Sequence, residues 1–83
     1  MMTAEVIKTT SKMMLVVVRK NKYDVAGTMG YCKNPDNHVK GDIIKDFPAI
    51  SGVTTMNTKD KETGELRVMT TKSGEPLSFL VFA

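Results

Sequence analysis

The residue types that most often carry chemistry are concentrated between positions 32 and 46 of this chain. Cys32 and His38 are the single cysteine and the single histidine, and Asp36 lies between them. A structural zinc site usually takes four Cys or His ligands, and a thiol nucleophile needs a neighbouring base and an oxyanion site. This trio meets neither requirement. We therefore expect no metal and no cofactor, and we interpret His38 as a loop side chain in contact with solvent.

Two further patterns are also interpreted as structural. Asp42 and Asp46 are four residues apart, which would place them on one face of a helix. Paired carboxylates perform acid–base chemistry when burial separates their pKa values, but the adjacent Lys45 is typical of a solvated polar face. The segment Gly27-Thr28-Met29-Gly30 lacks the Gly-Lys-Ser/Thr that follows in a phosphate-binding loop. The sequence therefore predicts a binding module without enzymatic activity.

Basic side chains are concentrated in the first third of the chain. The net charge is +3 over 83 residues, and residues 1–33 contain six Lys or Arg against two acidic residues. Such an excess attracts phosphate backbones or an acidic protein surface. The residues predicted to contact nucleic acid are Arg19, Lys20, Lys22, Lys33 and Lys12.

Two tyrosines near these cations are candidates for stacking on bases. Bases stack on aromatic rings while Lys and Arg follow the phosphates, and each stack is worth about 1–3 kcal/mol. Tyr23 and Tyr31 would share a strand face with Val16, Val18 and Val25, however, and a wholly apolar face is interpreted as the core face. The sequence thus favours burial of both rings and leaves a basic hairpin tip to grip the nucleic-acid backbone.

That hairpin tip belongs to the first of two predicted β-hairpins. The run Met13–Arg19 is apolar on both faces, as expected of a central strand, and the residues after it alternate in polarity. A two-residue turn at Lys20-Asn21 would complete a hairpin near 13–31. In this register Val18 faces Tyr23.

The second hairpin is predicted near 65–83, with its turn at Ser73-Gly74. Lys72 would then face Glu75 as an opposite-charge pair across the two strands. The same register places Phe79 on the core face.

The segment between the hairpins is predicted to form a short helix near 37–47. Val39, Ile43 and Phe47 recur every four residues, which is the spacing of one helical face. Pro48 would end this helix because it restricts the backbone of the preceding residue.

These elements predict a β-rich α+β fold in which the whole chain, residues 1–83, forms a single domain. We expect about five or six short antiparallel strands and one short helix, including a strand near 53–58 and an edge strand near 4–10. Two architectures are compatible with this set: an OB-like half-open barrel, or a sheet with a helix on one face.

One segment resembles part of a known family. Glu65-Leu66-Arg67, followed by residues 71–79, is similar to a hairpin of the bacterial single-stranded-DNA-binding proteins of the OB fold. In those proteins a Leu/Val-Arg strand leads through a Ser-Gly turn into a strand that contains Phe. The hairpin lies near the start of that family and late in this chain, and the remaining residues do not match. We therefore do not assign the chain to that family.

The function predicted from these observations is binding of an RNA or single-stranded DNA backbone through the basic hairpin tip. The alternative is a protein-binding inhibitor, an antitoxin or a virus-encoded accessory factor, which could act through bound RNA. One cysteine and a longest apolar run of Met13–Val18 predict a cytoplasmic protein without a membrane segment. The surplus of apolar strand faces predicts a homo-oligomer.

Overall fold

The computed structural model describes residues 2–21 and 23–83. Its strands are β1 (Met2–Thr9), β2 (Met13–Arg19), β3 (Thr28–Lys33), β4 (Ile43–Phe47), β5 (Ile50–Thr55), β6 (Asn57–Lys59), β7 (Leu66–Val68) and β8 (Ser78–Phe82). Six of them form one sheet in the order β4-β1-β2-β3-β8-β5, and β6 pairs with β7 in a separate two-stranded sheet.

The expected α+β class is wrong, because the described residues contain β-strands and no helix. The large sheet is also mixed rather than antiparallel, since β3 and β8 run parallel to each other. No helical segment within the described ranges could cross a membrane.

The six-stranded sheet is strongly curled, since its two edge strands are neighbours in the chain. In a flat sheet, five spacings of about 4.8 Å would hold β4 and β5 about 24 Å apart. The short link from Phe47 through Pro48 and Ala49 to Ile50 spans at most about 11 Å. The sheet must therefore bend until these strand ends meet. Contact between Phe47 and Phe82, whose ring centroids are 5.8 Å apart, closes this side of the curl.

The hydrophobic core lies inside the curl. Its buried members are Ala4, Val6, Met14, Val16, Val18, Cys32, Phe47 and Leu80. They alternate along β1 and β2, because successive side chains of a strand point to opposite faces. The outward-facing Val17 is buried as well, so β2 is covered on both sides, as its apolar sequence predicts. We call the side of β1, β2, β3 and β8 that is turned away from the core the outer face.

The segment 37–47, predicted to be helical, is a loop followed by β4. Gly41 has a φ of +96°, a left-handed conformation that interrupts a helix, and its N–H donates to a carbonyl of β1. The four-residue spacing does not define a buried face, because Val39 and Ile43 are exposed and Phe47 alone of the three is buried. Pairing with β1 therefore overrides a weak helical pattern.

The hairpin near 13–31 forms, but with a different register and a longer connection. Val18 pairs with Thr28 rather than Tyr23. The described residues 20, 21 and 23–27 accordingly belong to a loop in place of the two-residue turn at Lys20-Asn21. Strand β1, expected at the sheet edge, lies inside the sheet between β2 and β4.

The hairpin predicted near 65–83 forms only around its turn, where Thr70 pairs with Pro76 in an antiparallel bridge and the Leu77 N–H donates to the Met69 carbonyl. The strands on either side of it pair elsewhere. Strand β7 pairs with β6, and β8 lies between β3 and β5. The turn is where the sequence predicts it, but the N–H of Thr71, not of Lys72, donates across it to the carbonyl of Glu75. The strand expected near 53–58 is divided into β5 and β6.

Strand β8 also presents the opposite faces from those predicted. Leu80 is 8% exposed and belongs to the core, whereas Phe79 pairs with Tyr31 on the outer face. Close approach explains this arrangement, because a Cβ at Gly30 would lie 2.7 Å from Cδ2 of Leu80. The glycine allows Leu80 to close against β3.

Candidate nucleic-acid interface

The five cations predicted to contact nucleic acid do not form one patch. Arg19 and Lys20 lie where β2 ends, whereas Lys12 and Lys33 lie where β2 begins. The seven residues of β2 separate these two groups by about 20 Å. Lys22 lies outside the described residues.

Arg19 is engaged in an ion pair within the sheet. Its Nη1 lies 3.4 Å from Oε1 of Glu5, and both side chains are partly exposed. Such a pair contributes only about 0–1 kcal/mol to stability, but it partly neutralises the guanidinium charge. Arg19 is therefore a weaker phosphate ligand than the sequence alone suggests.

Lys20 begins a loop whose described residues, 20, 21 and 23–27, we call the tip loop. The carboxylate of Asp24 accepts a hydrogen bond from the Lys20 N–H at 3.2 Å. The side-chain oxygen of Asn21 accepts one from the Tyr23 N–H at 2.8 Å, a local turn that Asn favours. These side-chain hydrogen bonds hold the loop in a defined conformation, with the Lys20 side chain exposed.

The two tyrosines lie in different environments. The prediction that both are buried is confirmed for Tyr31, which is 8% exposed in β3, and wrong for Tyr23, which is 77% exposed in the tip loop. The predicted burial of Tyr23 depends on a register in which Val18 faces Tyr23, and the structure does not adopt that register. Tyr31 is covered on the outer face rather than in the core cluster.

A row of side chains crosses the outer face near the beginning of β2. The pairing register places Lys8 opposite Leu15, Leu15 opposite Tyr31, and Tyr31 opposite Phe79. The two rings lie 6.2 Å apart at an angle of 45°, which is a favourable aromatic arrangement. Sequence reasoning missed this row because three separate strand pairings create it.

A cleft of about 420 Å³, which we call the outer cleft, opens against this row. Its lining comprises Lys8, Thr10, Tyr31, Thr71, Lys72, Ser73, Leu77 and Phe79. Neither Lys8 nor Lys72 is among the predicted site residues. The position of Lys72 in the turn is readable from the sequence, but its proximity to Lys8 is not.

Cys32 and His38 line a second, larger groove of about 770 Å³ between β3, β4 and β8. Burial raises the pKa of the Cys32 thiol, which disfavours the reactive thiolate. The Asp42 carboxylate accepts a hydrogen bond from the Val39 N–H and lies 3.2 Å from Nδ1 of His38. Both contacts lower the pKa of Asp42, and the contact with Val39 has the larger effect. No three His, Cys, Asp or Glu side chains converge as a metal site in the described part of the chain.

Comparison with known proteins identifies no relative. No family model, no curated protein and no solved structure matches this chain. The local resemblance to the OB-fold hairpin also lacks its structural counterpart here, since β7 and β8 do not pair with each other.

Proposed function

We propose that this protein is a non-catalytic binder of RNA or single-stranded DNA, and that the tip loop is its first contact with the strand. The observation that carries this proposal is the exposed ring of Tyr23 close in sequence to the exposed Lys20. A base stacks on the ring and a phosphate lies against the ammonium group. Hydrogen bonds from the Lys20 and Tyr23 N–H groups to side chains within the loop favour one backbone conformation, which reduces the entropy lost on binding.

The other predicted cations have subordinate roles in this proposal. Lys20, together with its neighbour Lys22, contacts phosphates at the tip loop. Lys12 and Lys33, about 20 Å away at the other end of β2, contact the backbone further along the same strand. Charge attraction of this kind makes affinity fall with salt, by about 0.7 in the slope of log affinity against log salt per single-strand phosphate contact.

The proposal is tested by titrating a labelled oligonucleotide of about ten nucleotides and recording fluorescence anisotropy across a salt series. Tyr23→Ala is expected to weaken binding by about fivefold to a hundredfold, because one stack is lost. Tyr23→Phe, which keeps the ring, is expected to bind like the original protein. Lys20→Ser should lower the salt slope by about 0.7.

Lys61→Ser is the matched control for charge, since Lys61 is exposed in the distant β6–β7 turn. It should leave both affinity and slope unchanged. Absence of binding by the original protein at low salt would end the proposal, as would equal affinities for Tyr23→Ala and Tyr23→Phe.

A second candidate function is protein binding, as an inhibitor, an antitoxin or a virus-encoded accessory factor, or through association with further copies of this chain. The observation that favours it is apolar exposure on projecting segments, with Val25 84% and Leu66 71% exposed. A pull-down with and without nuclease separates the two candidates, because a protein partner retained after nuclease treatment supports this one. Sedimentation equilibrium tests the homo-oligomer.

We place either activity in the cytoplasm. This location rests on cysteine use, since Cys32 is a free, buried thiol suited to a reducing compartment. Fractionation of cells that produce the tagged protein tests it.

A further inference from the structure

We infer that the outer cleft is a second nucleotide site, which receives the same nucleic-acid strand that the tip loop binds. This inference rests on the proposed function and extends it from one end of β2 to the other. It assigns to Lys8, Lys72 and Phe79 a role in binding a phosphate and a base.

The chemical composition of the cleft carries the inference. Its lining combines two Lys ammonium groups, four hydroxyl groups and two aromatic rings, and no acidic side chain is among the described residues that line it. A volume of about 420 Å³ lies within the usual range of small-ligand pockets, about 300–1,000 Å³. A nucleotide presents both an anionic phosphate and a planar ring, so it matches both parts of this surface.

The hydroxyl groups are arranged to donate to a phosphate. Oγ1 of Thr71 and Oγ of Ser73 are 2.9 Å apart and share one hydrogen bond, so the accepting hydroxyl keeps its own O–H to donate. The Glu75 N–H donates to Oγ1 of Thr71 at 3.3 Å and fixes its position. Donors of this kind beside Lys72 form charge-assisted contacts with phosphate oxygens.

Of the two rings, Phe79 is the one available for a base. Tyr31 is almost fully covered, whereas Phe79 is only half-buried and lines the cleft beside it. The tilted contact of Tyr31 with Phe79 supports the Phe79 ring from one side. A base that enters the cleft would stack on the part of the Phe79 ring that lines it.

The strand pairing places the cleft on the same face of the sheet as the end of β2 that precedes the tip loop. Lys8 lies opposite Leu15, and Leu15 is four residues from Arg19 on the same face, a distance of about 13 Å. The acidic Glu5 between them is paired with Arg19, which reduces its repulsion of a phosphate backbone. One strand of nucleic acid can therefore run from the tip loop along this face into the cleft.

One carboxylate opposes binding at the edge of the cleft. Glu75 lines an adjoining depression together with Lys8, Tyr31 and Ser73. Removing its charge while keeping its size should favour an anionic ligand. Glu75→Gln is thus expected to strengthen binding, the opposite sign from loss of Lys8 or Lys72.

The test compares variants by anisotropy with a labelled oligothymidylate of about ten nucleotides. The double variant Lys8→Ser/Lys72→Ser should bind about tenfold more weakly at 0.1 M salt, with a salt slope lower by about 1.4. Phe79→Leu, which keeps an apolar side chain, should bind about fivefold or more weakly because the stacking ring is lost. The double variant Lys59→Ser/Lys61→Ser removes the same charge at exposed positions in the β6–β7 hairpin and should bind like the original protein.

The outcomes separate this inference from the function on which it rests. If the Lys8/Lys72 variant matches the Lys59/Lys61 control while Tyr23→Ala still binds weakly, the cleft is not a nucleotide site and the tip-loop proposal stands. If the original protein does not bind the oligonucleotide at low salt, both are overturned. A weakening by Glu75→Gln, with the thermal midpoint unchanged, would also contradict the inference.

Discussion

The curled six-stranded sheet and the β6–β7 hairpin both consist of paired β-strands, but they differ greatly in burial. Every residue of β6 and β7 is exposed, whereas β2 has four buried residues among its seven. In the sheet, each strand covers the others because the curl brings distant segments together. The hairpin pairs only with itself, and an ion pair between Arg67 and Asp60 at 3.4 Å lies beside its turn.

This difference indicates where the free energy of folding resides. A lone two-stranded ribbon is marginally stable in water, because it has no second layer to bury its apolar side chains. Substitutions should therefore have large effects inside the curl and small effects on the hairpin. Three substitutions test this contrast, and the first and last introduce the same side chain into the two regions.

Val16→Asp is expected to unfold the protein. Val16 is 0% exposed, and an unpaired carboxylate buried there costs several kcal/mol. A domain of this size has on the order of 5 kcal/mol of stability to lose. Circular dichroism during thermal denaturation measures the effect. A cooperative transition near the original midpoint would show that β2 is not the centre of the core.

Gly30→Ala is expected to destabilise the sheet by about 1–3 kcal/mol, the usual cost of overpacking. The added Cβ would lie 2.7 Å from Cδ2 and 3.1 Å from Cγ of Leu80, which is itself buried and has little room to move. Urea denaturation gives the free energy of unfolding. Gly52→Ala is a suitable control, since no atom lies within 4 Å of its added Cβ.

Leu66→Asp is expected to change the free energy of unfolding by less than about 0.5 kcal/mol. Leu66 is 71% exposed and pairs across the hairpin with Lys59, so the new carboxylate meets an opposite charge. The same urea series measures it beside Val16→Asp. A loss comparable to that of Val16→Asp would mean that the hairpin packs against another surface in solution.

The sequence predicts those parts of the fold that are determined locally. Met13–Arg19 is apolar on both faces, and this property alone marks β2 as a central strand covered on both sides. The turn at Ser73-Gly74 is likewise found where its residues indicate. Neither prediction requires knowledge of which strand lies next to which.

The errors arise where distant pairing decides the structure. The spacing of Val39, Ile43 and Phe47 has a helical period, but β1 supplies pairing partners that a local pattern cannot reveal. The inside and outside of β8 are set by contacts with β3 and β5, so Phe79 and Leu80 are exchanged relative to the prediction.

In the candidate site, too, the sequence predicts what is determined locally and misses what depends on distant strand pairing. Lys20 was identified from local charge, and the structure places it in an exposed loop. A two-residue turn after β2 predicts an apolar strand face that includes Tyr23. In the structure the connection is longer, so Tyr23 lies in the loop and is not paired with β2. Lys8 and Lys72 come together only through the folded sheet, so no local signal could have identified them as a pair.

The position of β8 between β3 and β5 has a consequence for the last step of folding. Until β8 inserts, one edge of β3 and one edge of β5 carry unpaired N–H and C=O groups that can pair with other chains. The folding protein therefore passes through a period of aggregation risk that ends when β8 takes its place between them.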